Sequence, residues 1–416
     1  MLKIIQKIYS PPAGGSKSFK NFGMLTYVEI NKSAIIHNLR QIKQLVGPKV
    51  GIMAIVKSNA YGHGMVEVAK IVIKAGADWL AVISDSEALA LRQAKIKTPI
   101  FILSFWDISD IRDIRERLVH IRGISDIREK LAYIRDCDFP IYTIEQAKIL
   151  SQLGQKNRKK INVHIKVDTG ASRVGVRPDE AVAFIKKIKK MPGLNLRGVF
   201  THYAASEDGD QTFTNQQTEK FTKVIDALEK QGINIPFKHA ACSAATMINR
   251  QTRFNLIRPG IALYGLWPSP ETKFLSGVKN KNIDLCPALT WKTRIIQVKN
   301  LPGRTTIGYD RTYQTKKKTK LAILPVGYWD GYDRKLSNCG EVLIGGRRCP
   351  VRGRVCMNLT MVELPARLRA KVGDEAVLLG RQGKEEITAE ELAQKIGTIN
   401  YEVVTRINPL IIRKYV

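Results

Sequence analysis

Residues 50–64 read VGIMAIVKSNAYGHG. An apolar run, rich in β-branched residues, ends abruptly at Lys57, and a polar turn with Tyr61 and glycines at 62 and 64 follows. Such a run fits a strand covered on both faces, the kind found in parallel sheets. A lysine held at its end loses hydration, which lowers the amine's pKa. A deprotonated amine can form a Schiff base with a carbonyl. Taken alone, a lysine in this setting more often threads its ammonium out to water.

The neighbouring sequence repeats the alternation of strand and helix. LTYVEIN (25–31) precedes a helical pattern at 33–47, with Ser33 as its N-cap and Ile36, Leu39, Ile42 and Val46 on one face. Strand-like runs recur at 78–84, 98–104, 139–144, 162–170, 196–203 and 237–245. Helical patterns fall at 64–76, 86–94, 178–191 and 215–231. Short β-branched runs alternating with amphipathic helices indicate parallel βα units. About eight of them before residue 265 predict an α/β fold with a closed (β/α)8 barrel. Lys57, Arg173, His202 and Ser243 cluster at or just past strand C-termini, the end at which barrel sites are built.

Beyond residue 275 the rhythm changes. Runs at 288–301, 320–332, 340–346, 360–364 and 374–380 are strands with Gly-rich turns. One helix is clear at 389–396, where Thr388 and Glu391 have capping-box spacing. The expected organisation is a basic extension at 1–23, disordered or upstream of an alternative start at Met24, then a barrel at 24–275 and a mostly β domain at 276–416.

The chain has 416 residues, 44% of them hydrophobic, and a net charge of +31. No apolar run reaches the ~18 residues of a membrane span. The basic residues are spread out, and the lysines of PDEAVAFIKKIKKMPG (178–193) fall on the solvated face of an amphipathic helix. No nucleic-acid motif accompanies them. Six cysteines, none in a C-x-x-C pair, fit reduced thiols in a cytoplasm.

Beside AIVKSNAYGHG, eight further stretches occur in order: HIKVDTGASRVGV (164–176), VFTHYAASED (199–208), CSAAT (242–246), IRPGIALYG (257–265), IGYDRTY (307–313), PVGYWDGYDR (325–334), VRGRVCMN (351–358) and GTINYEVVTRI (397–407). Together they resemble the alanine racemase family, fold type III enzymes dependent on pyridoxal 5′-phosphate (PLP). The resemblance covers residues 24 to about 410. It implies that Lys57 holds PLP and serves as one catalytic base. Tyr61, Ser243, Gly260, Ile261 and Tyr401 would grip the phosphate, a task suited to convergent donors.

Arg258 would face the pyridine nitrogen. An arginine stays charged and cannot accept a proton, so the ring would be a weaker electron sink than one paired with a carboxylate. Arg173 would lie by the pyridine oxygen and the substrate carboxylate. Lys166 matches a lysine often carbamylated to orient that arginine. Tyr309 would be the second base, tuned through His202 and Arg258, since a phenol near pKa ~10 is a poor base unaided.

The same resemblance implies a head-to-tail homodimer, in which the partner supplies Tyr309 and Met357 to each site, and no metal. Met357 would line the substrate carboxylate site. Glu207, Tyr328, Arg334, Arg354 and Tyr401 match the access corridor. The expected reaction is interconversion of L- and D-alanine, supplying D-alanine for peptidoglycan. A serine or broad-specificity racemase is the alternative.

Four features depart from the family pattern: Cys242 for asparagine, Asn358 for aspartate, Glu207 for aspartate, and ASR at 171–173 for MGR or MNR. They bear on breadth and turnover rather than reaction type. DTGAS (168–172) also matches the aspartic-protease signature, but that chemistry needs two such aspartates and the βα rhythm opposes it. A non-catalytic PLP carrier would lack a domain bearing Tyr309 and Met357. A decarboxylase of the same fold would put glutamate in place of Arg258. A nucleic-acid-binding protein has only the charge in its favour.

Overall fold

The structure, a computed structural model, describes residues 25–103, 137–279 and 283–416. The expected extension at 1–23 lies outside the described residues. The chain divides into two compact units. One comprises Ile30–Leu289, Ile399–Pro409 and Tyr415–Val416; the other comprises Thr290–Thr398, Leu410–Lys414 and the described residues before Ile30.

The first strand, β1 (Tyr27–Ile30), lies in the sheet of the second unit. The next eight close the barrel: β2 (Gly51–Ile55), β3 (Trp79–Val82), β4 (Ile100–Ile102), β5 (Cys137–Ile141), β6 (Ile161–Lys166), β7 (Leu194–Phe200), β8 (Phe237–His239) and β9 (Leu256–Ile257). All pair in parallel, and β2 meets β9 through Gly51 opposite Leu256. The barrel expected from the rhythm is therefore present. Met53, Ile55, Trp79, Ala81, Phe101, Phe200 and Leu256 form one buried cluster. Branched and aromatic side chains from several strands fill the interior, as in a packed barrel.

Some local expectations shift. The first helix spans Lys32–Val46, and its N-cap is Asn31, whose Oδ1 accepts from the Ala34 N–H at 3.0 Å. Ser33 therefore lies inside the helix. Asparagine caps as well as serine, and capping from Asn31 starts the helix earlier. The buried face carries Ile35, Asn38, Leu39 and Ile42, so Ile35 replaces Ile36 on it. The apolar run at 50–60 is strand only to Ile55.

The second unit is β-rich. Its largest sheet runs in the order Arg347–Pro350, Glu341–Ile344, Glu375–Gln382, Leu289–Arg294, β1, Ile412–Tyr415. A smaller sheet joins Gln297–Leu301, Thr319–Leu324 and Thr360–Leu364. Its helix Ala389–Ile396 is capped by Thr388 Oγ1, which accepts from the Glu391 N–H. The Glu391 carboxylate turns instead to the Arg348 guanidinium, at 2.8 and 2.9 Å. A charge-assisted pair outweighs the return bond of a capping box.

Candidate functional site

Past β2 the backbone turns left-handed. Ser58, Asn59, Ala60 and Tyr61 all have φ between 52° and 55°. Each such residue costs roughly 1–2 kcal/mol without glycine, and strain of this kind concentrates at functional sites. The turn is tied down on several sides. The Glu87 carboxylate accepts from the Ser58 N–H at 2.7 Å and the Ile83 N–H at 2.9 Å. Asn59 Oδ1 caps the helix Met65–Lys74 through the Met65 N–H at 3.0 Å. Gly62 has φ +85°, and a Cβ there would lie 2.2 Å from the Val404 carbonyl oxygen. The chain closes to backbone contact at that point, which only glycine permits.

Lys57 heads this turn and is half-buried. Burial, and then the charge of Arg173, pull its amine below the ordinary lysine value. Lys166, at the end of β6, is buried with its Nζ 4.7 Å from the centre of the Phe200 ring. Burial, then the charges of Arg258 and Arg173, hold its amine well below the ordinary value. A lysine amine lowered in this way is more available as a nucleophile toward a carbonyl or carbon dioxide.

Arg258 is 5% exposed and held by three hydrogen bonds. Its Nη1 donates to His239 Nδ1 at 2.7 Å, and its Nη2 donates to the carbonyls of Thr201 and Ala240 at 2.7 and 2.8 Å. Burial lowers the guanidinium to about 10, which leaves it cationic at neutral pH. Among the described residues its Nε–H has no protein acceptor. His202, expected as Arg258's partner, makes no ring hydrogen bond to it among the described residues. Burial and the neighbouring charges, Arg258 first, keep that imidazole well below its ordinary value and neutral.

Ser243 begins the short helix Ser243–Ile248, with Cys242 as the N-cap residue. Ser243 Oγ accepts from the Gly260 N–H at 2.9 Å and the Ala262 N–H at 3.3 Å. Its own hydroxyl proton remains to be donated. A Cβ on Gly260 would meet Tyr61 Oη at 2.6 Å, so glycine lets the phenol approach this backbone. Ile261, buried, follows directly. Cys242 Sγ lies 3.1 Å from Ser206 Oγ. Tyr401 donates its hydroxyl to Glu207 Oε1 at 2.8 Å, and its ring lies 6.1 Å from that of Tyr61.

Asp168 of the DTGAS loop shapes backbone. Its Oδ1 accepts from the N–H groups of Gly170, Ala171 and Ser172. This role and the parallel barrel around it remove the protease reading.

In the β-rich unit, Tyr309 is 69% exposed and Met357 54%. Gly308, Asp310 and Arg311 all have positive φ, so Tyr309 is presented on a strained loop. Asp310 pairs with Arg354 Nε at 3.3 Å. The Tyr328 and Trp329 N–H groups bond the Cys356 and Met357 carbonyls at 3.0 Å each.

Two profiles cover most of the chain: "Alanine racemase, N-terminal domain" at residues 30–122 and 117–268, and "Alanine racemase, C-terminal domain" at 288–415. The chain belongs to the alanine racemase family. An alanine racemase of Halothermothrix orenii is 41% identical over 390 residues, covering 94% of this chain and 96% of that protein. The structure of alanine racemase from Bacillus anthracis with bound L-Ala-P aligns with TM-score 0.83 at 36% identity, over 95% of this chain and 96% of that one. A histidine racemase from Leuconostoc mesenteroides subsp. sake aligns with TM-score 0.80 at 25% identity, over 95% and 99%.

The donor set suits PLP. A lowered lysine amine, a charged arginine whose Nε–H is left to donate, and a serine–glycine–isoleucine cradle match an aldehyde, a ring nitrogen and a phosphate in turn. Sequence reasoning missed His239, His164 and Asp138, which lie behind Arg258. The signal was the period-two polar series Asn162, His164, Lys166 in β6, an unusual content for a buried strand.

Proposed function

We propose that the chain racemises alanine with PLP as cofactor, as a homodimer in which each site takes Lys57 from one subunit and Tyr309 of the partner subunit. The observation that carries this reading is the half-buried Lys57 at the head of the left-handed turn just past β2, in a barrel that also fixes Arg258 through His239. PLP, when bound, draws electrons from the Cα–H bond of an attached amino acid and makes that proton removable. Lys57 Nζ would hold the cofactor, with Ser243, the Gly260–Ile261 backbone, Tyr61 and Tyr401 around its phosphate. Arg258 Nε would face the ring nitrogen, and Arg173 the substrate carboxylate. A carbamate on Lys166 would turn a repelling cation into an anion that orients Arg173.

Inversion at Cα needs a proton taken from one face and returned on the other. Lys57 Nζ would serve one face, and the hydroxyl of Tyr309 of the partner subunit the other. The exposure of Tyr309 and Met357 supports this arrangement, because two large exposed side chains on one unit are surface available to a second copy. The partner subunit's Met357 would border the substrate carboxylate. His202, held neutral, would donate a ring N–H to the phenol oxygen of the partner subunit's Tyr309 and so favour its ionised form. The product D-alanine would serve bacterial peptidoglycan, made in the cytoplasm.

The similarity to a histidine racemase favours a second reading, racemisation of larger amino acids, since the shared fold alone does not select the side chain. The test mixes two variants, Lys57→Ala and Tyr309→Phe, each expected to be inactive. Random re-pairing gives half mixed dimers, each with one intact site, so about a quarter of wild-type activity should return. No recovery, or full stereoinversion by Tyr309→Phe alone, refutes the two-subunit mechanism. Borohydride should fix a pyridoxyl group on Lys57 of the wild type; label elsewhere refutes the cofactor anchor.

A further inference from the structure

A buried polar chain of the barrel unit lies behind Arg258. Arg258 Nη1 donates to His239 Nδ1 at 2.7 Å. His239 Nε2 lies 2.8 Å from His164 Nδ1, and His164 Nε2 lies 3.0 Å from Asp138 Oδ2. Both imidazoles are fully buried, and Asp138 is 1% exposed. Asp138 Oδ1 also accepts from Asn162 Nδ2 at 3.2 Å and Arg197 Nη1 at 3.1 Å. Arg197 is partly exposed and lies over the Trp79 and Phe237 rings.

The proton positions in this chain follow from its two ends. A guanidinium only donates, so His239 Nδ1 must be the acceptor and Nε2 carries the proton. That proton points at His164 Nδ1, which must therefore accept. His164 then carries its proton on Nε2 and donates to Asp138. An ionised carboxylate only accepts, so the order closes without conflict. Aromatic rings hold both imidazoles in place: His239 stacks on Phe200 at 4.9 Å and 2°, and His164 lies tilted against Phe101 at 4.8 Å and 35°. The fold also clears room for the chain, since a Cβ on Gly198 would lie 2.1 Å from His164 Nδ1.

We infer that Asp138 and His164 are positioning residues of the racemase reaction, which lock His239 in its Nε2–H tautomer and thereby aim the Arg258 guanidinium at the cofactor ring. Arg258 then faces an acceptor of fixed direction, and its fork cannot rotate out of the site. Asp138→Asn is the informative change. An asparagine that offers its amide oxygen to His164 must point its NH2 at Arg197 and Asn162, donor against donor. Turned the other way, it donates to His164 Nε2 and reverses both tautomers, leaving His239 Nδ1–H against Arg258 N–H.

The functional half of this inference rests on the racemase reading, and the tautomer half does not. Solid-state 15N spectra of histidine-labelled holoenzyme read the tautomers directly. Wild type should show His239 and His164 as neutral Nε2–H rings; an Nδ1–H ring or an imidazolium at His239 overturns the inference without any variant. Asp138→Asn should bring an Nδ1–H population at His239 and lower kcat about ten- to a hundredfold, the loss of one hydrogen bond to a charged group, with KM changed far less. Unchanged tautomers and kcat within twofold of wild type would overturn it.

Arg197→Gln tests the same chain from its partly exposed end, should Asp138→Asn not fold. A perturbed His239 signal with reduced kcat supports the inference; an unperturbed signal with full kcat overturns it. Absence of racemisation in the wild type sinks the racemase reading instead.

Discussion

Gly198 of β7 lies opposite His164 of β6 in the barrel register, and the imidazole occupies the space where a Gly198 side chain would begin. The glycine here serves space rather than backbone freedom, as its φ is not positive. Gly198→Ala should therefore act by overpacking. Such insertions cost typically ~1–3 kcal/mol, and backbone and ring both resist displacement here. The urea midpoint should fall accordingly. PLP affinity should fall with it, because His164 is linked through His239 to Arg258. A variant as stable as wild type would mean that the ring moves aside freely.

Acid should weaken the fold before most carboxylates protonate. His164, His202 and His239 all have depressed pKa values, through burial first. A depressed group binds fewer protons folded than unfolded, so stability is full above the ordinary value of 6.5 and is lost as pH falls below it. Urea unfolding at descending pH from about 7 should show a falling midpoint in this window. His202→Asn should make the slope shallower. An unchanged slope would show that His202 is free to protonate in the native state.

Much of the fold was legible because parallel strands covered on both faces leave continuous apolar runs, as in GIMAI of β2. The site was less so. Lys57 stood out because it ends such a run. The left-handed turn at 58–61 has no sequence mark, since Ser, Asn, Ala and Tyr are held there by Glu87 and by the close approach of Val404. His239 and Asp138 were hidden for a similar reason: their meaning depends on three strands meeting inside a barrel. Asn31 took the cap expected at Ser33 because both are good caps and only chain geometry chooses between them.

The lowered Lys57 amine predicts how the apoprotein takes up cofactor. Pyridoxylation of Lys57, trapped with borohydride, should reach half its limiting rate at a pH below the ordinary lysine value of 10.5. Arg173 contributes to the lowering by charge. Arg173→Gln should therefore move the profile to higher pH and slow uptake at neutral pH. A profile that stays in place would assign the whole effect to burial.

Glu207 carries the last prediction. Its carboxylate accepts the Tyr401 hydroxyl proton at 2.8 Å, and burial raises its pKa above the ordinary 4.5. A raised carboxyl binds more protons folded than unfolded. Its contribution is thus fully present below the ordinary value and is lost as pH rises through the raised one. Glu207→Gln keeps an oxygen to accept from Tyr401 but cannot ionise. The stability of Glu207→Gln minus that of wild type should therefore climb as pH rises from 4.5 and then level off, even while the histidines add stability to both proteins. Glu207→Asp retracts the carboxylate by one methylene, and the lost bond to Tyr401 should cost roughly 0.5–1.5 kcal/mol. A flat difference curve for Glu207→Gln would mean that the carboxylate is hydrated in solution and that Tyr401 is free to donate elsewhere, the phosphate included.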